Sequence, residues 1–225
     1  MAQAPNDAML RATCRPGGLA LTEVLVAKSG LRPPAACLDV ACGSGATVHH
    51  LREACGFEAF GVDVAPSAEE AGIVAGPAEA LPFEAGRFDA VFCECSLSLF
   101  EAPARALGEC ARVLRPGGAL LLSDLYSRTA ALRLKGQAKN LYTKAELERL
   151  LAGQGFAITW FEDHSDALKE MVAWQILQGG SDAFYRALGT SVEAMKQAKC
   201  GYYLLGAKRA AHLPPGEKNA AAPSL

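Results

Sequence analysis

Short apolar runs alternate with amphipathic stretches along most of the chain, and glycine and proline residues separate them. The run over residues 36–41 is interrupted only by Asp39, and a Gly-Ser-Gly turn joins it to a helical stretch from about 47 to 54. A second strand is predicted over 59–64 and carries Asp63 near its end. Because strands that alternate with helices form right-handed βαβ units, the pattern predicts a parallel sheet with helices on both faces.

The same alternation continues through the rest of the chain. The further predicted strands cover 72–76, 88–93, 119–122, 156–161 and 202–207, and the further predicted helices cover 18–30, 102–114, 165–177 and 191–198. Two more helices are predicted to begin near Pro66, since proline is tolerated in a first helical turn, and at Thr143. The β-favouring run FDAVFC is typical of a strand that is buried on both faces.

Composition and charge narrow the class of protein. Of the 225 residues, 51% are hydrophobic and 20% are charged, which predicts a globular chain with a sizeable core. The net charge of −2 argues against a nucleic-acid partner. No run approaches the roughly 18 apolar residues of a membrane span, and the first residues do not resemble a secretory signal. We therefore expect a cytoplasmic protein.

The eight cysteines are predicted to be free thiols. A chain of this length without a predicted signal peptide is not expected to depend on disulfides, and no pair of CxxC motifs indicates a structural zinc ion. Most of the cysteines are expected to be small buried side chains. We expect no resident metal.

The glycine turn after the first strand predicts a ligand site. Glycine has no Cβ, so a ligand can approach the backbone of the turn closely. Val48 stands where a dinucleotide fingerprint has its third glycine, so the glycines alone do not identify the ligand. Asp63 lies 20 residues after Gly43, which suits a carboxylate that binds ribose hydroxyls.

Five sequence blocks in a fixed order then extend this pattern over residues 36–128. The blocks are LDVACGSG, GVDVA, AEALPF, RFDAVFCE and ARVLRPGGALLLSD. Together they resemble class I S-adenosylmethionine-dependent methyltransferases of the small-molecule, type 11 or ubiquinone-biosynthesis-like group. The resemblance implies a methyltransferase whose cofactor is S-adenosyl-L-methionine. It also implies a three-layer, Rossmann-like α/β sandwich with a seven-stranded, mostly parallel sheet and an antiparallel last strand.

The resemblance also implies the roles of the cofactor-binding residues. The methionine part of the cofactor would lie on the loop that contains Asp39, Ala41, Cys42, Gly43, Ser44 and Gly45. Asp63 would bind the ribose hydroxyls, and Val64 would lie against the adenine ring. Pro77 stands where many relatives have an aspartate that contacts adenine, so adenine recognition is assigned to the Ala78 backbone or to Glu79.

The same resemblance divides the chain into segments. We expect one methyltransferase domain over 1–208, with an N-terminal lid at 1–20 and a cofactor-binding core at 36–128. A helical insertion at 165–200 precedes the last strand, and residues 209–225, rich in Ala and Pro, are expected to be disordered. The acceptor is expected to be a small molecule, and the protein a monomer or a homodimer.

Catalytic candidates follow from the rule that ligands of open α/β sheets bind at the carboxyl ends of the strands. Asp124 and Tyr126 follow the fifth predicted strand, and His164 follows the sixth. The pKa of an unperturbed histidine lies near neutrality, which makes His164 the natural base. The alternative is that His164 and its neighbours only cap the helix that begins at Ser165.

Cys93 and Cys95 are the last two candidates. Residues two apart on an extended strand point to the same side, so both thiols would face one pocket if the strand continues through Cys95. Thiolates bind soft ions and metalloids, and the SDLYSR block together with a cysteine in this loop resembles arsenite methyltransferases. One possibility is therefore that the acceptor is a thiol or a metalloid. The alternative is a protein of the same fold that binds or senses a metal or metalloid.

Overall fold

The computed structural model describes residues 13, 15–67, 70–134, 138–179 and 190–210. The strands are β1 (Ala36–Val40), β2 (Glu58–Asp63), β3 (Ile73–Ala75), β4 (Phe88–Glu94), β5 (Leu114–Tyr126), β6 (Leu132–Arg133), β7 (Asn140–Leu141), β8 (Phe156–Asp163) and β9 (Gly201–Arg209). The helices are α1 (Gly18–Ser29), α2 (Ala46–Glu53), α3 (Pro103–Val113), α4 (Lys144–Gly153), α5 (Ser165–Gly179) and α6 (Val192–Gln197), with a 3-10 turn at Leu97–Leu99.

Seven of the strands form one sheet in the order β3-β2-β1-β4-β5-β9-β8. The neighbours from β3 to β5 pair in parallel, whereas β9 is antiparallel to both β5 and β8. The strand order reverses between β1 and β4, and a crevice opens at such a switch point beyond the carboxyl ends of the strands. The predicted seven-stranded sheet with an antiparallel last strand is confirmed.

Side chains alternate between the two faces of the sheet and form two apolar layers. On one face, Leu38 and Val40 of β1 pack with α3 and α4. On the other face, Cys37 of β1 packs with α1, α2, α5 and α6. The pleat sends successive residues to opposite faces, so both faces of the central strands must be apolar. The result is the predicted three-layer arrangement.

Several element boundaries differ from the predictions. β5 begins at Leu114 because this residue pairs with Phe88, so the RPGG segment that was predicted to close a helix lies within the strand. The β6–β7 hairpin and the 3-10 turn have no counterpart in the predictions.

The predicted helix near Pro66 is wrong for the residues that the structure describes there, 64–67 and 70–72, which form bends and turns. The Ser67 N–H donates to the Gly43 carbonyl at 3.1 Å, and the Ala65 N–H donates to Asp63 Oδ1 at 2.9 Å. The first bond ties the segment to the glycine turn, and the second ties it to the end of β2. These two N–H groups are therefore not used in helical hydrogen bonds.

Parts of the predicted lid and tail lie outside the described residues, namely 1–12, 14 and 211–225. Among the residues that are described, no helix combines the length and the apolar character needed to cross a bilayer.

Candidate functional site

Two adjoining cavities lie at the carboxyl edge of the sheet and share Ala41. The first, which we call the loop cavity, has a volume of about 360 Å³ and surrounds the glycine turn between β1 and α2. The second, the strand-end cavity, has a volume of about 350 Å³ and lies beyond β2 and β3. Because Ala41 lines both, the two cavities lie side by side, and we call the pair the elongated cleft.

The backbone of the glycine turn faces the loop cavity. Ala41, Gly43 and Gly45 all have positive φ angles, of 62°, 53° and 77°. The N–H groups of Ala41 and Cys42 both donate to the Val62 carbonyl of β2, which holds the turn against the neighbouring strand. An added Cβ on Gly43 would meet no atom within 4 Å, so this part of the turn is open to a ligand.

Asp63 at the end of β2 lines the strand-end cavity and is held in place by two backbone donors. Its Oδ2 accepts from the Gly43 N–H at 2.9 Å, and its Oδ1 accepts from the Ala65 N–H at 2.9 Å. Each carboxylate oxygen retains a further lone pair for a ligand hydroxyl. Asp63 therefore lies between the glycine turn and the strand-end cavity.

Val64, Ala78 and Glu79, the residues assigned to adenine, all line the strand-end cavity. Val64 is 75% exposed, which leaves an apolar surface at the cavity mouth. Glu79 Oε1 accepts from the Ala102 N–H at 3.2 Å just before α3. The carboxylate of Glu79 thus helps to hold α3 as well as facing the cavity.

A buried polar network that the sequence analysis missed forms the floor of the loop cavity. Arg15 Nη2 donates to Glu94 Oε2 at 2.9 Å, to Thr47 Oγ1 at 3.0 Å and to Thr22 Oγ1 at 2.6 Å. The two threonine hydroxyls donate in turn to the Glu94 carboxylate. Arg15 precedes α1 and Glu94 ends β4, so the network joins elements 79 residues apart. No local sequence signal marks such a pair.

The charges around the loop cavity are incompletely balanced. Burial, together with the charge of Glu94, raises the pKa of Asp39 well above its usual range. Burial disfavours the charge of Arg15, but Glu94, Tyr202 and Asp39 outweigh this effect and raise the pKa of its guanidinium. The Arg15 Nε is buried and has no hydrogen-bond partner among the described residues. Two carboxyl groups and one guanidinium with a spare donor suit a zwitterionic ligand.

The two candidate thiols do not face a common pocket, and that prediction is wrong. β4 ends at Glu94, and Cys95 has a φ angle of 57°, so the strand alternation does not continue through it. Cys93 is fully buried on the α3–α4 face, in the same apolar layer as Cys110. Cys95 lines the loop cavity, where burial raises the pKa of its thiol to about 12.

Cys42 and Ser44, two further residues assigned to the cofactor, line the loop cavity with the glycines. Burial raises the pKa of the Cys42 thiol to about 12, so it is uncharged at neutral pH. Within the described ranges, no three histidine, cysteine or acidic side chains converge on a position that would hold a metal ion.

The carboxylate of Asp124 is buried between β5 and the 3-10 turn. Its Oδ2 accepts from the Ser98 N–H at 2.7 Å, and its Oδ1 accepts from the Leu125 N–H at 2.7 Å. Burial raises its pKa to about 6, although both backbone donors favour the charged form. Asp124 lines neither of the two cavities.

Tyr126 and His164 also lie apart from both cavities. The Tyr126 hydroxyl donates to Asp163 and accepts from Arg128 Nε at 3.0 Å. His164 Nε2 lies 3.3 Å from Glu162 Oε2, and both residues are half-buried at the edge of the sheet. The neighbouring Asp163 caps α5, since its Oδ1 accepts from the Ser165 N–H at 3.0 Å.

Comparison with known proteins agrees with this geometry. Residues 38–122 match the family model described as a methyltransferase domain. A malonyl-[acyl-carrier protein] O-methyltransferase from Methylococcus capsulatus is 35% identical over 144 residues, or 55% of this chain and 52% of that protein. A demethylmenaquinone methyltransferase from Renibacterium salmoninarum is 27% identical over 75% of this chain and 76% of that protein.

Among solved structures, the [4+2]-cyclase SpnF shares the fold, with a TM-score of 0.70 and 24% identity over 92% of this chain and 86% of that one. The chain spans about half the length of the first curated relatives that it matches. The matched residues contain the glycine turn, Asp63 and the strands β2, β3 and β4. The chain therefore matches the methyltransferase-domain family over residues 38–122 and shares its fold with SpnF.

Proposed function

We propose that the chain binds S-adenosyl-L-methionine in the elongated cleft and transfers its methyl group to a small-molecule acceptor. One observation carries the proposal: the two cavities meet at Ala41, with Asp39 lining one of them and Asp63 the other. A ligand with an amino-acid end and a nucleoside end matches this division. Asp63 connects the two cavities, because it lines the strand-end cavity and accepts a hydrogen bond from Gly43 of the glycine turn.

The loop cavity fits the methionine end. Its carboxylate would be held by the unpartnered Arg15 Nε and by the amino-terminal end of α2, where backbone donors and the helix dipole favour an anion. Asp39 would hold the ammonium group. A positive group next to Asp39 offsets the burial that now favours its neutral form.

The strand-end cavity fits the adenosine end. Asp63 would accept hydrogen bonds from the two ribose hydroxyls with the lone pairs that its backbone donors leave free. Val64 and Ala78 would cover the apolar faces of the adenine ring. Glu79 would accept a hydrogen bond from the exocyclic amine of adenine while it still accepts one from the Ala102 N–H.

When bound, S-adenosyl-L-methionine supplies an electrophilic methyl group on a sulfonium that needs no acid to leave. The protein therefore has to orient the reactants and exclude water, and few residues have to touch the transferred carbon. The glycine turn sets the position of the cofactor, and the network of Arg15 and Glu94 holds α1 over the cavity floor.

Asp124 and Tyr126 are proposed as positioning residues. Asp124 holds Ser98 of the 3-10 turn, and the next residue of this turn, Leu99, lines the strand-end cavity. Tyr126 ties β5 to Asp163, just before α5. His164 is proposed to orient Glu162, which also pairs with Lys28 of α1 at 2.6 Å.

Among the seven cysteines that the structure describes, the placement of the thiols does not favour a thiol or metalloid acceptor. Cys93 is a free thiol inside the core, and only Cys95 of the pair lines one of the two cavities of the cleft. The metal-sensing alternative lacks a ligand set within the described residues. The proposal therefore keeps to a small molecule as the acceptor.

A thermal-shift experiment tests the cofactor assignment. We expect S-adenosylhomocysteine and S-adenosylmethionine each to raise the melting temperature, because a ligand that binds only the folded state stabilises it. NADH, adenosine and methionine added separately should have much smaller effects. A shift with NADH and none with either S-adenosyl compound would contradict the proposal.

A further inference from the structure

A third cavity of about 280 Å³ lies at the same carboxyl edge of the sheet, beyond β5 and between α5 and α6. Its interior is apolar, and the apolar lining residues are Leu125, Leu168, Val172, Val192 and Met195. At about 30 Å³ for a group the size of a water molecule, the cavity has room for roughly nine such groups. That is the size of a medium-length hydrocarbon chain.

The mouth of this cavity carries four cations, of which two are neutralised. Arg128 pairs with Asp163 at 2.5 Å, and Lys169 pairs with Asp166 at 2.8 Å. Lys196 and Lys199 line the cavity and form no ion pair with any described residue. The net charge at the mouth is therefore positive, next to an apolar interior.

The cavity is close to the cofactor cleft in the fold. Cys95 lines the loop cavity, and its N–H donates to the Ser123 carbonyl at 2.6 Å. The Tyr202 hydroxyl donates to Ser123 Oγ at 2.9 Å, and Tyr202 pairs with Leu125 across β9 and β5. Leu125 lines the third cavity, and Tyr202 and Leu125 belong to the same apolar layer. One tyrosine and one leucine thus stand between the two sites on the same face of the sheet.

We propose that this third cavity receives the methyl acceptor, and that the acceptor is an apolar molecule that bears a carboxylate or phosphate group. The apolar part would fill the space between α5 and α6, and the anion would lie against Lys196 and Lys199. This inference rests on the proposed function, since it names the class of molecule that the methyltransferase would use.

The backbone of Lys199 provides a sharp test. Its φ angle is 47°, directly after α6, in the left-handed region that favours glycine. Lys199→Gly therefore removes the cation and relieves the backbone at the same time. We expect its melting temperature to equal or exceed that of the wild type, so that lost binding cannot be ascribed to misfolding.

The experiment is calorimetric titration of octanoate, octyl phosphate, 1-octanol and octylamine into the full chain saturated with S-adenosylhomocysteine. We expect the two anions to bind at least tenfold more tightly than the alcohol or the amine. Their affinity should fall in 0.5 M salt. The tighter of the two anions identifies the head group.

Lys199→Gly and Lys196→Gln should each weaken anion binding by about tenfold and leave 1-octanol unchanged. Lys208→Gln, an exposed lysine of β9 outside the cavity, is the matched control and should change nothing. Val172→Phe, which fills the cavity from α5, should weaken the binding of octanoate and of 1-octanol to the same extent.

Equal binding of octanol and octanoate, unchanged anion binding in both lysine variants, or no binding of any of the four compounds would overturn this inference while S-adenosylhomocysteine still binds. Failure of S-adenosylhomocysteine itself to bind would instead overturn the proposed function. The two failures are thus read from separate titrations.

Discussion

The Gly43 N–H donates to Asp63 Oδ2 at 2.9 Å and so joins the glycine turn after β1 to the end of β2. The turn and the carboxylate lie in different cavities that meet at Ala41. This one bond sets the relative position of the two halves of the proposed cofactor site. A change at Asp63 should therefore affect the ligand without unfolding the sheet.

Asp63→Asn is expected to weaken S-adenosylhomocysteine binding by about 10- to 100-fold, because one or two hydrogen bonds to a charged acceptor are lost. Calorimetric titration measures the change. Asp166→Asn is the matched control, since the Asp166 side chain is 89% exposed and lies on α5. Equal affinities for wild type and Asp63→Asn would show that the carboxylate does not contact the ligand.

The buried pair of Arg15 and Glu94 predicts a strong effect on stability. Glu94→Gln leaves the Arg15 guanidinium buried without its partner and should lower the free energy of unfolding by about 3–5 kcal/mol. The double variant Arg15→Met/Glu94→Leu should lose much less than the sum of the single variants. Urea denaturation measures each value.

The exposed pair of Lys28 and Glu162 is the control for that experiment. Both side chains are 38% exposed, so Glu162→Gln should change the free energy of unfolding by less than about 1 kcal/mol. If Glu94→Gln were as mild as Glu162→Gln, the network would not hold α1 over the loop cavity.

Asp124 predicts a pH dependence of stability. Its pKa is raised by burial from 3.8 to about 6, so the folded protein holds this proton more tightly than the unfolded chain does. The contribution of this group is full below about pH 4 and is lost as the pH rises to about 6. Across that window, the unfolding free energy of the wild type should fall relative to Asp124→Asn by about 3 kcal/mol. Parallel pH profiles of the two proteins would show that Asp124 titrates normally.

Gly61 predicts a link between packing and ligand binding. A Cβ at this position would lie 2.7 Å from Cys42 Sγ and 3.0 Å from Val48 Cγ2, so Gly61→Ala should displace the glycine turn. We expect weaker S-adenosylhomocysteine binding and a destabilisation of about 1–3 kcal/mol.

Gly153→Ala in α4 serves as the control for Gly61→Ala. An added Cβ at Gly153 meets no atom within 4 Å, so alanine there should stabilise the helix by about 0.5–1 kcal/mol and leave ligand affinity unchanged. Retained affinity in Gly61→Ala would mean that the turn tolerates movement of Cys42.

The parts of the site that are contiguous in sequence could be predicted, and those that are distant could not. The glycine turn and Asp63 carry local signals, and both line the cleft. Arg15 and Glu94 are 79 residues apart, and only the packing of α1 against the sheet joins them. Their pairing depends on tertiary structure, which periodicity does not encode.

The sheet and its flanking helices could be predicted because apolar runs and the glycines that bound them are patterns of neighbouring residues. These patterns predict most of the alternation of strands and helices along the chain. The orientation of Cys95 could not be predicted, because no sequence pattern marks a left-handed φ angle at a residue other than glycine. The length of β5 was underestimated because Leu114 joins the strand through its pairing with Phe88.

The most direct test of the account is calorimetric titration of S-adenosyl-L-methionine into the full chain at pH 7, with Asp63→Asn and Asp166→Asn measured alongside. We expect binding at one site per chain, weakened by about 10- to 100-fold in Asp63→Asn alone. Absence of binding to the wild type, or the same affinity in all three proteins, would contradict it.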